Sequence, residues 1–288
     1  MIDLHLHTTR SDGRLTPAAL VAKADETGLR VIAVTDHDTV AAIDEVTVDA
    51  GRRGLRVVPG IEVTAVDAHR DVHMLGYFID HLSPRLAAFL EAQRALRVDR
   101  IVEIGDRLAR LGAPIDVDAV IAGAAARPGT SVGRPLLARA LVQSGHAADM
   151  QDAFDRFLAE GRPAFVPRTG RSPLEVVEAI HDAGGIASFA HPGVTGRDAL
   201  IEPLAAGGLD ALEAYHSDHS LADVARYRAL AARLGLAISG GSDFHGEPPA
   251  SASAPSPRRR RDRLGEVELP APEFARLEAR AAARGSQR

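Results

Sequence analysis

The sequence contains no cysteine. That excludes disulfides, a thiolate nucleophile and sulfur-held zinc or iron–sulfur sites, so any metal here is bound by nitrogen and oxygen. No run approaches the roughly 20 apolar residues that a membrane-spanning helix needs. The start, Met1-Ile2-Asp3-Leu4-His5, has no basic region followed by an apolar one, and the expected location is the cytoplasm. Lysine is almost missing: of 34 basic residues all but Lys23 are arginine, whose planar fork suits phosphate. The formal charge of −5 argues against a general nucleic-acid coat, so no stable DNA binding is expected, whereas small anionic ligands are compatible with it. The chain has 288 residues, 45% hydrophobic and 25% charged, enough for one large domain with an insertion or two modest domains.

Ile2, Leu4 and Leu6 alternate with Asp3, His5 and His7, which predicts a first strand with both histidines on one face. Thr16-Pro17 starts a helix that stops at Gly28. Residues 30–35 form a β-branched strand, and Asp38 and Thr39 cap a helix ending near Gly51. Residues 55–63 and 72–78 read as further strands, the second reached through a polar turn at 67–71. After residue 185 strands at 185–190, 209–215 and 236–241 alternate with helices at 198–206 and 221–234. About seven strands in this rhythm predict an α/β fold, a distorted (β/α)7 barrel. Residues 83–167 instead read as four helices, from Pro84 to Leu111, after Asp116, from Pro135 to Val142 and from Asp149 to Leu158. The expected organisation is therefore a barrel of 1–82 and 168–288 with a helical insertion, 83–167, that contributes to the substrate pocket. Residues 247–263 read as a disordered loop whose arginines, 258–261, are a solvated run or an electrostatic lure for RNA. Val267 to Leu269 reads as a short strand and 272–284 as a closing helix.

Metal-capable residues recur at these strand ends. His5 and His7 lie on the first strand with Asp12 just after it, and Asp36, His37 and Asp38 follow the second. Glu62 follows Pro59-Gly60-Ile61, His73 lies on the fourth strand, His191 follows Ser188-Phe189-Ala190, and Asp243 and His245 close the run from Ser239. In a parallel barrel all carboxyl ends of strands meet on one face, so these residues converge. Six histidines and three carboxylates exceed the three protein ligands of a catalytic zinc, which implies two or three ions. Manganese, iron(II) and zinc all suit such ligands. Divalent ions bring the pKa of bound water toward 7 and stabilise attacking and leaving oxygens, and phosphoester hydrolysis is their natural use. Asp36 fits either a turn or a group that orients a histidine. His69, His81, His146 and His181 fall away from strand ends and read as solvated.

Six motifs stand in order: Asp3-Leu4-His5-Leu6-His7-Thr8 with Ser11-Asp12-Gly13, Thr35-Asp36-His37-Asp38, Gly60-Ile61-Glu62, Val72-His73-Met74-Leu75-Gly76, Ala190-His191-Pro192-Gly193 and Gly241-Ser242-Asp243-Phe244-His245. Together they resemble the PHP (polymerase and histidinol phosphatase) superfamily. The resemblance implies a distorted seven-stranded barrel with a trinuclear metal site, manganese being the first candidate and iron or zinc the others. It places His5, His7, Glu62 and Asp243 on one ion and has Glu62 bridge to a second held by His73 and His191. Asp12, His37 and His245 hold the third. Ser131-Val132-Gly133-Arg134-Pro135, the stretch from Gly161 to Arg168 and that from Glu213 to His219 resemble the branch of 3',5'-nucleoside bisphosphate phosphatases and 5'-3' exoribonucleases, except that Leu136 stands where relatives often carry histidine.

Arg134 precedes a proline-initiated helix, whose free N–H groups and dipole favour an anion. His216 leaves the sixth strand toward the same mouth, and His219 reads as a polar loop residue. The expected substrate contacts are Arg134, Arg168 and His216, and the expected catalytic groups Glu62, Asp243 and His216. The expected activity is phosphomonoester hydrolysis by a metal-bridging hydroxide, first of all on the 3'-phosphate of a 3',5'-nucleoside bisphosphate. The alternatives are a 5'-3' exoribonuclease on short RNA, a histidinol phosphatase, amide or lactone hydrolysis by the same ions, and a non-catalytic metal-binding module.

Overall fold

The computed structural model describes residues 1–126, 132–247 and 262–286. Strand β1 (Ile2–Leu6) is buried throughout. Helix α1 (Pro17–Glu26) follows, Thr16 Oγ1 accepting from Ala19 N, and Gly28 at φ 81° turns the chain into β2 (Val31–Val34). The cap expected of Asp38 does not form. Helix α2 (Ile43–Arg53) starts later without a side-chain cap, and the Asp38 carboxylate instead accepts from Thr64 N and Thr64 Oγ1, both at 2.9 Å. The strand expected over 55–63 is broken at Pro59. β3 (Arg56–Val57) pairs with β2, whereas β4 (Gly60–Asp67) enters another sheet and pairs antiparallel with β5 (Arg70–Tyr77). Ala68 and His69, at φ 46° and 66°, form the two-residue turn between them, and such a turn can only reverse the chain.

Helix α3 (Pro84–Arg110) starts on the Ser83 cap and buries Leu86 and Leu90 in the core beneath the strands. Its second half buries Ile101, Ile104 and Leu108 in a separate core with α4 (Val117–Ala125), α5 (Arg134–Gln143) and α6 (Met150–Ala153), which continues as a π-helical turn over Phe154–Leu158. Between the two, Gln93 Nε2 donates to Thr64 O at 2.9 Å and its Oε1 accepts from Arg171 N at 3.3 Å. One helix thus joins both cores and carries Arg97 and Arg100 at the junction.

Helix α7 (Pro173–Asp182), held by a Ser172/Glu175 capping box, leads into β6 (Ile186–Phe189). Short helices α8 (Pro192–Thr195) and α9 (Ile201–Ala206), β7 (Ala211–His216), α10 (Leu221–Leu234), β8 (Ala237–Gly241) and α11 (Ala271–Gly285) follow. The strands form two sheets, β1-β2-β3 and β4-β5-β6-β7-β8, the first parallel and the second antiparallel up to β6. Single bridges, Leu6 with Phe244 and His37 with Glu62, link the sheets. Among the described residues the α/β fold is therefore not a closed parallel (β/α)7 barrel, because the β4–β5 hairpin replaces a crossover with a reversal. Residues 267–269 form no strand, although Leu269 N donates to Ile2 O at 2.9 Å. The arginine run at 258–261, most of the loop expected at 247–263 and Ser131 lie outside the described residues. Among those described, no helix is long and apolar enough to cross a membrane.

Candidate metal centre and substrate cavity

The hairpin and the parallel strands bring their polar ends to one place, centred on the fully buried Glu62. Its Oε1 lies 3.0 Å from His73 Nδ1 and 3.1 Å from His191 Nε2. Its Oε2 lies 3.2 Å from each of His5 Nε2, His7 Nε2 and His37 Nδ1. Asp243 Oδ1 is 3.1 Å from His7 Nε2, 3.4 Å from His5 Nε2 and 3.5 Å from His245 Nδ1. Asp12, exposed at the mouth, sets Oδ1 3.2 Å from His245 Nε2 and Oδ2 3.8 Å from His37 Nε2. All nine residues marked in the sequence therefore meet. His5, His7, Glu62 and Asp243 form one grouping close enough to share an ion, and His7, Asp12, His37 and His245 form a second. His37 also turns its other nitrogen to Glu62, making a third grouping with His73, while His191 reaches Glu62 alone.

A carboxylate offers about four lone-pair sites, so five imidazoles cannot all donate good hydrogen bonds to this one. Indeed His7 Nε2, His37 Nδ1 and His73 Nδ1 are buried without a hydrogen-bond partner despite standing beside Glu62. Cations taken up among these nitrogens and oxygens would satisfy them, and the donor set suits a divalent first-row metal. Burial opposes charge on His5 and His7, but the carboxylates outweigh it, holding His5 well above the ordinary histidine range and bringing His7 up to about 10. Burial brings His37 down to about 4, Glu62 only partly offsetting it. Burial also opposes ionisation of Glu62, Asp243 and Asp12, yet the imidazoles hold all three below the ordinary carboxylate range. Asp38, His191 and Asp243 occupy the left-handed backbone region at φ 52°, 27° and 55°, a strain concentrated at this site.

Several supporting roles become visible only in the structure. Glu213 is fully buried, with Oε1 2.9 Å from His5 Nδ1 and Oε2 accepting from His191 N at 2.7 Å. The available signal was an acid within the apolar run Ala211-Leu212-Glu213-Ala214. Asp3 Oδ1 accepts from His5 N and Ser242 N, and burial pushes its carboxyl up to about 6. Asp36 orients no histidine: it accepts from Thr8 N, Thr8 Oγ1 and Ser11 Oγ, holding the loop that carries Asp12. His219 lies in the loop before α10, as expected of a polar loop residue, but inside the protein. It is buried, donates from Nδ1 to Ala214 O at 2.9 Å and accepts Gly193 N at 3.2 Å, tying the loop after β6 to β7. His181, expected to be solvated, pairs with Asp210 at 2.7 Å. His216 accepts Asp218 N on Nδ1, so a neutral ring carries its proton on Nε2, which faces Asp243 Oδ2 at 3.5 Å.

Beside this cluster lies a cavity of about 570 Å³ lined by Arg70, Arg97, Arg100, Arg134 and Arg168, with Asp71 and Glu160. Arg134 donates to Leu158 O at 3.1 Å and lies over the Phe154 and Phe165 rings. Arg168 donates to Asp71 at 2.6 Å, and Arg100 to Val166 O at 3.0 Å. Burial and then the charges of Arg134 and Arg168 bring Arg100 down to about 10, the mark of cations crowded together. Arg97, on the same wall, pairs with Asp38, next to His37, so the cavity and the cluster share a boundary. Leu136 faces elsewhere, into a groove between α4 and α5.

The PHP domain model matches residues 3–123. The chain is 38% identical over 248 residues, 84% of its length and 89% of the relative's, to a protein of Haemophilus influenzae named 5'-3' exoribonuclease. It is 36% identical, covering 85% of this chain and 87% of the other, to a 3',5'-nucleoside bisphosphate phosphatase of Chromobacterium violaceum. A solved structure from Bifidobacterium adolescentis, described as a metal-dependent phosphoesterase, superposes with a TM-score of 0.74 at 33% identity over 97% of this chain and 96% of that one. With motifs, site and fold agreeing, the chain belongs to the PHP family of metal-dependent phosphoesterases.

Proposed function

We propose that this protein hydrolyses a phosphomonoester, first of all the 3'-phosphate of a 3',5'-nucleoside bisphosphate, using divalent ions held around Glu62. The observation that carries the reading is the convergence of five imidazole nitrogens on the two oxygens of one buried carboxylate. His5, His7, Glu62 and Asp243 would hold one ion, Glu62 with His73 and His191 a second, and Asp12, His37 and His245 a third. Bound ions of this kind, manganese first and iron or zinc next, supply Lewis acidity and bring the pKa of water toward neutrality. The protein's own groups do the rest. Hydrolysis breaks the P–O bond to the leaving alcohol, whose oxygen needs a proton, and His216 Nε2–H is a buried donor aimed into the site. Arg134 and Arg168, with Arg100, would grip the phosphate that is not cleaved, the Phe154 and Phe165 rings and the Leu158 carbonyl fixing Arg134 beforehand.

The 38% identity to a protein named exoribonuclease favours a second reading, in which short 5'-phosphorylated RNA enters the same cavity. Phosphate release from the monoesters and mononucleotide release from the RNA separate the readings. The protein would be stripped of metal, reloaded with manganese and offered adenosine 3',5'-bisphosphate, AMP, short 5'-phosphorylated RNA and histidinol phosphate. The bisphosphate is expected to give the highest kcat/KM and the stripped protein no turnover. A manganese-loaded protein that releases nothing from any of the four would overturn the reading.

A further inference from the structure

Glu213 stands opposite the metal cluster across the His5 ring and takes no part in the chemistry above. Both of its oxygens are committed to N–H donors, one to His5 Nδ1 and one to His191 N. A neutral imidazole has one N–H, and an acceptor 2.9 Å from Nδ1 keeps the proton there. When His5 gives up its Nε2 proton to an ion, the lone pair freed there points between Glu62 Oε2 and Asp243 Oδ1, 3.2 and 3.4 Å away. The second oxygen holds the backbone of His191, whose φ of 27° and ψ of 60° strain a non-glycine residue. We propose that Glu213 is a positioning residue that selects the metal-ready tautomer of His5 and anchors His191, so that one buried carboxylate sets ligands of two ion positions at once.

The inference rests on the metal reading given under Proposed function. A competing arrangement, an ion held by His5, Glu213 and His216 themselves, is geometrically close. Geometry disfavours it, because such an ion would displace the His5 Nδ1 proton that Glu213 Oε1 accepts at 2.9 Å, and His216 Nδ1 already accepts Asp218 N.

Glu213→Gln tests this with the shape kept. A glutamine has one oxygen, which can serve His191 N or His5 Nδ1 but not both, and its amide then donates toward the other nitrogen. Held on His191, it would drive the His5 proton onto Nε2, against the ions. Equilibrium dialysis of metal-stripped protein against manganese is expected to show affinity at one or two positions reduced by about 10–100-fold, with the full count recovered at saturation. Nitrogen-15 spectra of zinc-loaded wild type are expected to carry a His5 Nδ1–H proton that the variant lacks. Unchanged affinity would overturn the inference, and so would an ion missing even at saturation, which would make Glu213 a ligand. Should the variant not fold, the wild-type spectrum decides, a His5 without a proton on Nδ1 overturning it. A wild type that binds no manganese at all would instead overturn the metal reading beneath it.

Discussion

Replacing Glu62 by glutamine removes the single negative charge that faces five imidazoles while keeping its shape. We expect Glu62→Gln, and separately Asp243→Asn, to fold by circular dichroism, to lose at least one ion by elemental analysis, and to turn over at least about 100-fold more slowly. The magnitude follows because contacts one step further out are already worth about 10–100-fold. Arg134 answers a different question. If it grips a phosphate that is not cleaved, it acts equally in ground and transition states, so Arg134→Met should raise KM for a bisphosphate about 10–100-fold with kcat nearly unchanged. Hydrolysis of a simple aryl phosphate, which has no second phosphate, should be unaffected. Steady-state kinetics on both substrates checks this, and an equal fall in kcat on the two would put Arg134 on the scissile phosphate. The nine ligand candidates and His216 were legible because polar residues at strand ends stand out against β-branched runs. Glu213 was not, since its meaning depends on His5, 208 positions away in the chain.

At the scale of elements, helices with their own caps were read correctly where the cap lies next to the helix, as at Thr16, Ser83 and Asp116. Asp38 was misread because its carboxylate finds Thr64 and Arg97, partners that only the tertiary fold supplies. The β4–β5 hairpin was half legible. The polar turn is visible, but the strand-and-helix rhythm around it suggests a parallel neighbour, and the distorted (β/α)7 barrel follows from that. Packing between α3 and α4 offers a test of its own. A Cβ on Gly105 would come within 2.2 Å of Val117 Cγ2, and a β-branched side chain has little freedom to give way. Gly105→Ala is therefore expected to destabilise by about 1–3 kcal/mol in urea unfolding, although alanine is the better helix former. In a Val117→Ala background the same change should become neutral or stabilising.

For the whole molecule, the face opposite the site is clamped through Asp210, which is buried and accepts from His181, Ala187 N and Arg284, joining α7 and α11 to β6 and β7. Burial opposes its ionisation, but these partners win and hold it below the ordinary carboxylate range. Its stabilisation is thus present above the unfolded value of about 4 and is lost as pH falls through the lower folded value. Asp210→Asn should cost about 1–3 kcal/mol at pH 7 and progressively less in acid, read as the difference in urea midpoint between the two proteins. On the other face, the proposed hydrolysis requires cations among His5, His7, Glu62, Asp243 and their neighbours. Crystals grown with manganese and measured for anomalous scattering address that directly. We expect two or three anomalous peaks within ligand distance of both Glu62 oxygens, Asp243 and Asp12, and a map with no peak at Glu62 would contradict the account.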